Sequence, residues 1–378
     1  MTRRERLTRT FQGKPVDRPA VSFYEIGGWK MDPADDEFTV WNDPSWRPLI
    51  ELAHTETDII RLVGVRWLDA QDNGLRELIA TETRREGKSE FTQTTIKAPG
   101  RILTSLTRRD TDIQTTWTLE HLLKDTADAE AYLQLPEPTM GRPDVPDLLT
   151  QEVELGDSGI ASVEFADPLC AAADLFSMEN YTVIALTEPR LFHQLLERFA
   201  RMMHPACALV AEGFPGRLWR ICGSEYASEP YLPPRLYREY LVGYTAPMVR
   251  AIRKHGGFAR IHSHGRLRGI LAALAGMEID GLDPLEPPPQ GDMTLAEIKQ
   301  VIGPTTVLMG NIEVSDIENL AAPEFERKVE TALREGTAAG GRGFILHPSA
   351  SPYGRTITAQ TMINYRTMIR CARDWSNG

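Results

Sequence analysis

Residues 257–264 read GFARIHSH, an apolar run that opens on glycine, is too short for a helix and ends in two histidines two positions apart. Such a run fits a strand buried on both faces, the kind that parallel sheets use. Segments of the same kind lie on either side: GIASVEF at 159–165 and RLWRIC at 217–222 before it, IDGLDPL at 279–285, TVLMGN at 306–311 and GFIL at 343–346 after it. Helical patterns separate them. Thr294 with Glu297 makes a capping box ahead of LAEIKQVI, and the Pro233-Pro234 pair opens RLYREYLVGY. Two earlier apolar stretches, residues 20–24 and IIRLV at 59–63, bring the strand count to eight. Repeated βα units satisfy the right-handed crossover rule in a closed barrel and in a doubly wound open sheet alike. The count of eight, with no GxGxxG fingerprint anywhere, favours an α/β protein built as a (β/α)₈ TIM barrel.

Working outward, Leu7 and Phe11 share one face of a predicted helix that stops before Pro15, giving the barrel an N-terminal helical cap. Residues 66–120 break the βα rhythm. The Thr-rich stretches FTQTTIKA, ILTSLT and IQTTWTL alternate and read as a β-hairpin-rich insertion into one domain spanning residues 1–378.

Composition narrows the function. The chain has 378 residues and a net charge of −11, which repels phosphate backbones and anionic lipid, so neither nucleic acid nor membrane is an expected partner. Its four cysteines are scattered without a CxxC pair, which argues against a disulfide framework and an all-thiolate metal site. No signal-peptide core and no run of about 18 apolar residues occurs. A cytoplasmic location is expected.

In a barrel the reactive groups stand at the C-terminal ends of the strands. His262 and His264 project from the same face of one strand and are candidate ligands of a single ion; the alternative is that they bind a substrate carboxylate or a core partner with no metal. A catalytic site needs one more protein donor, for which Glu225 comes first and His347 second, with Glu313 also in range. Two imidazoles and a carboxylate suit zinc, while Fe²⁺ and Mn²⁺ accept the same set. Glu225, Glu286 and Asp283 are the candidates for catalytic acid–base roles, and Asp283 alternatively orients a ligating histidine. Glu164, Asn311, Tyr24 and Tyr353 are candidate substrate-binding residues, with core packing the competing explanation for the aromatic rings.

The opening TRRERLTRTFQGKPVDRPAV, the stretches ADPLCAAADLF, YLPPRLYREYLVGY and IDGLDPLEPPP, and the segment LMGNIE together resemble proteins of the uroporphyrinogen decarboxylase-like superfamily. The resemblance implies a (β/α)₈ barrel and one of two chemistries, decarboxylation in the haem pathway or zinc-dependent methyl transfer with a corrinoid protein. The decarboxylases carry an arginine-rich RQAGR-type segment after the first strand. Here that segment reads YEIGGWKMDPADDEF, acidic and without arginine, which argues against a tetrapyrrole with eight carboxylates. The methyltransferases place an HxC pair after the fifth strand and a cysteine after the last. His262 matches the histidine, His264 stands in place of the cysteine, and the later segment offers His347, Ser349 and Ser351. Replacing thiolate by nitrogen hardens the metal, so the resemblance points to a small O- or N-methylated substrate and a corrinoid partner protein as methyl acceptor. A carboxy-lyase or another metal-dependent barrel enzyme is the alternative, and homodimers are common in this superfamily.

Overall fold

The computed structural model describes residues 1–29 and 37–375. Eight parallel strands form the central sheet: β1 (Ala20–Val21), β2 (Ile59–Val63), β3 (Gly159–Ala166), β4 (Leu218–Cys222), β5 (Phe258–Ser263), β6 (Gly281–Pro284), β7 (Val307–Ile312) and β8 (Phe344–Pro348). They pair in the order β1-β8-β7-β6-β5-β4-β3-β2, the circular order of a (β/α)₈ barrel. Helices surround them. The seam between β1 and β2 carries no ladder among the described residues. Instead Asp58, wholly buried, clasps it: its amide donates to the Val21 carbonyl (2.7 Å), and its carboxylate accepts from the Val21 amide (3.0 Å), Arg6 (2.5 Å) and Arg18 (3.0 Å).

The barrel interior is sorted by height. Leu218, Val307, Met309 and Ile345 fill its lower half, and Leu7 and Phe11 of the first helix (Arg3–Phe11) close it from below. Thr2 caps that helix by accepting from the Glu5 amide, which fixes where it starts and so where the two apolar rings land. Each fully buried aliphatic or aromatic side chain contributes about 1.5–3 kcal/mol. Above this plug the same inward alternation delivers Glu164, Arg220, Arg260, His262, Asp283 and His347, so the upper interior is polar. A larger core, including Trp46, Trp219 and Phe176, lies between strands and helices.

The expected insertion is a four-stranded antiparallel sheet of Ile79–Glu86, Ser89–Ala98, Arg101–Asp110 and Thr116–Glu120. Its first strand is exposed along its whole length, which explains why no apolar alternation marks it. The capping box at Thr294 and Glu297 forms. Residues 237–242, expected as plain helix, wind as a π-helix behind Pro234.

Candidate functional site

At the C-terminal mouth of the barrel lies a cavity of about 580 Å³, walled by Tyr24, Glu25, Trp41, Gln114, Glu164, Arg220, Cys222, Glu225, His262, His264 and the segment Ala350–Tyr353. Of the residues singled out in the sequence, His262, His264, Glu225, Glu164, Tyr24 and Tyr353 meet here. In-register pairing sets them side by side: Cys222 of β4 opposes His262 of β5, which opposes Asp283 of β6, and one pair lower Glu164 opposes Arg220, which opposes Arg260.

Each histidine has one nitrogen held by a carboxylate. His262 Nδ1 lies 2.8 Å from Asp283, and His264 Nδ1 lies 2.7 Å from Glu286, whose other oxygen accepts from the Gly265 amide at 2.6 Å. The two rings stand perpendicular with centroids 4.6 Å apart. Their electrostatics differ. Burial pulls the His262 pKa down to about 4, against the pull of Asp283, so this ring is neutral and donates its Nδ1 proton. Burial is the largest single influence on His264 and opposes its charge, but the bond to Glu286 and the negative charges of Glu286, Glu225 and Asp283 together outweigh it, so its pKa is raised. Burial opposes ionisation of Asp283, yet Arg260, 3.1 Å away, and His262 hold it well below the usual carboxylate range.

Asp283 and Glu286 therefore stand behind the histidines. Asp283, wholly buried and permanently ionised, orients His262 and has no access to a substrate. Glu225 is pushed up by burial, and its Oε2 is buried with no hydrogen-bond partner. Burial raises Glu313 to about 7, and its carboxylate accepts from the Ser349 hydroxyl at 3.1 Å, away from the cavity wall. His347 is held at about 3 by burial and sits edge-on to the Tyr24 ring, 5.0 Å between centroids, while the same Tyr24 ring lies 5.9 Å from that of His262. Asn311 does not line the mouth. It pairs in register with His347 and borders a separate cleft with Pro287, Thr294 and Lys328.

The sequence reading did not pick out Arg220, Glu25, Cys222 or Gln114. Arg220 and Cys222 were accessible through the same two-residue alternation that marked His262. Arg220 bonds both Glu164 and the Tyr24 hydroxyl and lies over the Tyr24 ring at 5.0 Å. Tyr24 itself adopts a left-handed backbone (φ 53°), a conformation costing roughly 1–3 kcal/mol for a non-glycine residue, and its hydroxyl reaches 3.4 Å from His262 Nε2. Gln114 comes from the connection between the third and fourth strands of the hairpin sheet, where its backbone amide donates to the Tyr353 carbonyl at 2.9 Å.

The donor set fits a divalent metal on one count: both imidazoles have their Nδ1 atoms fixed by carboxylates, the arrangement that aims Nε2 at an ion. Among the described residues no group of three His, Cys, Asp or Glu side chains converges on one ion position. Glu225, with its unpartnered oxygen on the same wall, is the candidate third donor. Its proximity to His264 is expressed in the mutual influence of their charges.

Residues 156–374 match the family model of uroporphyrinogen decarboxylase (URO-D). A methyltransferase from Methanosarcina mazei has a similar solved structure, with a TM-score of 0.60, 15% sequence identity and coverage of 99% of each chain, a likeness that shows the fold. No curated protein matches the sequence. Among the described residues no helix is long and apolar enough to cross a membrane.

Proposed function

This chain belongs to the uroporphyrinogen decarboxylase (URO-D) family, and within that family we propose that it is a metal-dependent methyltransferase or demethylase. It acts on a small O- or N-methylated substrate bound in the mouth and passes the methyl group to a corrinoid protein. The observation that carries this reading is the carboxylate-held histidine pair on the cavity wall. His262, His264 and Glu225 would hold the ion, zinc being the best match to two nitrogens and a carboxylate, with Fe²⁺ or Mn²⁺ taking the same donors. The ion supplies Lewis acidity toward the substrate heteroatom that carries the methyl group.

The protein's own groups define the rest. Asp283 keeps His262 in the tautomer with Nε2 free, because its carboxylate accepts the Nδ1 proton. Arg220, fixed by Glu164 and Tyr24, presents a cation to a substrate oxygen or carboxylate. Glu225, whose buried Oε2 has no hydrogen-bond partner, would gain in the ion the counter-charge that burial denies it. Trp41 and Tyr353 give the cavity flat walls for an aromatic or otherwise planar methyl ether. Decarboxylation of a polyanionic tetrapyrrole is disfavoured by the wall itself, which sets Glu25, Glu164 and Glu225 against one arginine.

Elemental analysis of the purified protein beside its His262→Ala, His264→Ala double variant tests the reading. About one equivalent of metal in the former and none in the latter is expected, followed by methylation of reduced cobalamin from methyl ethers by the metal-loaded protein alone. A protein that takes up no metal under reconstitution would sink the proposal.

A further inference from the structure

A second cavity, of about 210 Å³, lies at the opposite, N-terminal end of the barrel, between the segment after the first helix and residues 338–343, whose sequence is AAGGRG. Its wall contains Lys14, Lys299 and Arg342 and, among the described residues, no aspartate or glutamate. That is unusual in a chain of net charge −11, where acidic residues outnumber basic ones by 53 to 42.

The three cations are not equivalent. Arg342 is committed: it donates to the Phe11 carbonyl (2.7 Å) and the Thr305 carbonyl (3.0 Å) and pairs with Asp280 (3.3 Å). Lys299 is only 8% exposed, and its ammonium donates to one group, the Gly336 carbonyl at 2.6 Å. That bond caps the helix Ala322–Thr337 and uses one of three donors. No carboxylate offsets the burial, which lowers the Lys299 pKa. Lys14 is exposed at the rim and makes no side-chain ion pair among the described residues. The loop passes so close over Lys299 that a Cβ on Gly341 would lie 2.2 Å from its Nζ and would push the ammonium aside.

A buried ammonium with unspent donors and no counter-ion calls for an anion. We propose that this cavity binds a small oxyanion, a phosphate or the phosphoryl end of a small phosphomonoester, on Lys299 and Lys14 beneath the glycine loop. The site faces away from the mouth and is independent of the methyl-transfer reading.

Isothermal titration calorimetry with the full chain at low ionic strength tests it, using inorganic phosphate and glycerol phosphate as probes and matched chloride as the blank. One-to-one binding is expected, weakened about tenfold or more by Lys299→Met, which removes a charge-assisted bond. Lys14→Ala, at an exposed position, is expected to weaken it about threefold without disturbing the fold. Phosphate binding as tightly as glycerol phosphate identifies the free ion as the ligand, and tighter binding of the ester identifies a phosphomonoester. Heats no larger than chloride gives, or phosphate binding equal in wild type and Lys14→Ala, would overturn the proposal and leave Lys299 as a helix cap.

Discussion

His262 of β5 and Asp283 of β6 are paired in register on neighbouring strands, and their side chains meet at 2.8 Å inside the barrel while Asp283 also holds Arg260 at 3.1 Å. One carboxylate thus serves an orienting role above and a charge-balancing role below. Asp283→Asn is expected to weaken metal binding by about 10- to 100-fold through loss of the held tautomer, and to destabilise the protein by about 3–5 kcal/mol by leaving Arg260 buried without its counter-ion. Chelator competition and urea denaturation read the two losses separately. Unchanged metal affinity in a folded variant would show that His262 needs no such support.

The His264–Glu286 pair gives a pH signature. The pKa of His264 is raised, so its contribution is fully present below 6.5 and is lost as pH rises through its folded value. The pKa of Glu286 is lowered despite burial, chiefly by its bond to His264, so its contribution is present above 4.5 and is lost as pH falls through its folded value. The pair contributes most to the stability of the metal-free protein between these limits, and Glu286→Gln should remove its share of the decline on the alkaline side. Melting temperatures from pH 5 to 9 check this, with superimposable profiles counting against the pair.

Asp167 is a buried cap whose carboxylate accepts from the Cys170 amide (2.7 Å) and Thr245 (3.0 Å), yet burial lifts its pKa to about 7. An acid raised on folding gives stability that is present below 3.8 and is lost as pH climbs to about 7. Asp167→Asn keeps the shape without the charge and should stabilise the protein at pH 8 by a few kcal/mol at most, of order 1, while flattening the slope between those values. Lower stability than wild type at pH 8 would contradict the assignment.

Gly223 adopts φ 124°, and an added Cβ would lie 2.5 Å from both Asp167 Oδ1 and Cys170 Cβ. Gly223→Ala should cost about 1–3 kcal/mol from strain and overpacking and, by moving the turn that carries Glu225, should lower activity more than a surface glycine such as Gly216→Ala. Thermal denaturation and turnover of the two variants make the comparison.

The strands of the barrel could be read from sequence because parallel strands buried on both faces leave contiguous apolar runs, and His262 and His264 stood out because polar residues interrupt such a run at its end. What the alternation could not give was which strands lie next to which height. Arg220 looked like any strand arginine until pairing set it between Glu164 and Arg260. The partnership of His264 with Glu286 needed the loop after β6 to return to β5, a long-range closure with no local mark. Asn311 was expected at the mouth from its place at a strand end, but it opens onto another cleft. The first hairpin strand was silent because a strand exposed on both sides has no apolar face to show.

The seam between β1 and β2 has a consequence for motion. Seven of the eight strand junctions are closed by ladders, and the eighth by the Asp58 carboxylate and a single backbone bond. A closed cylinder of this kind breathes where its weakest rib lies, and here that rib carries Tyr24 and Glu25 at its upper end. Amide exchange should therefore be fastest in that rib, and the mouth can widen by releasing one clasp while the other seven junctions stay shut.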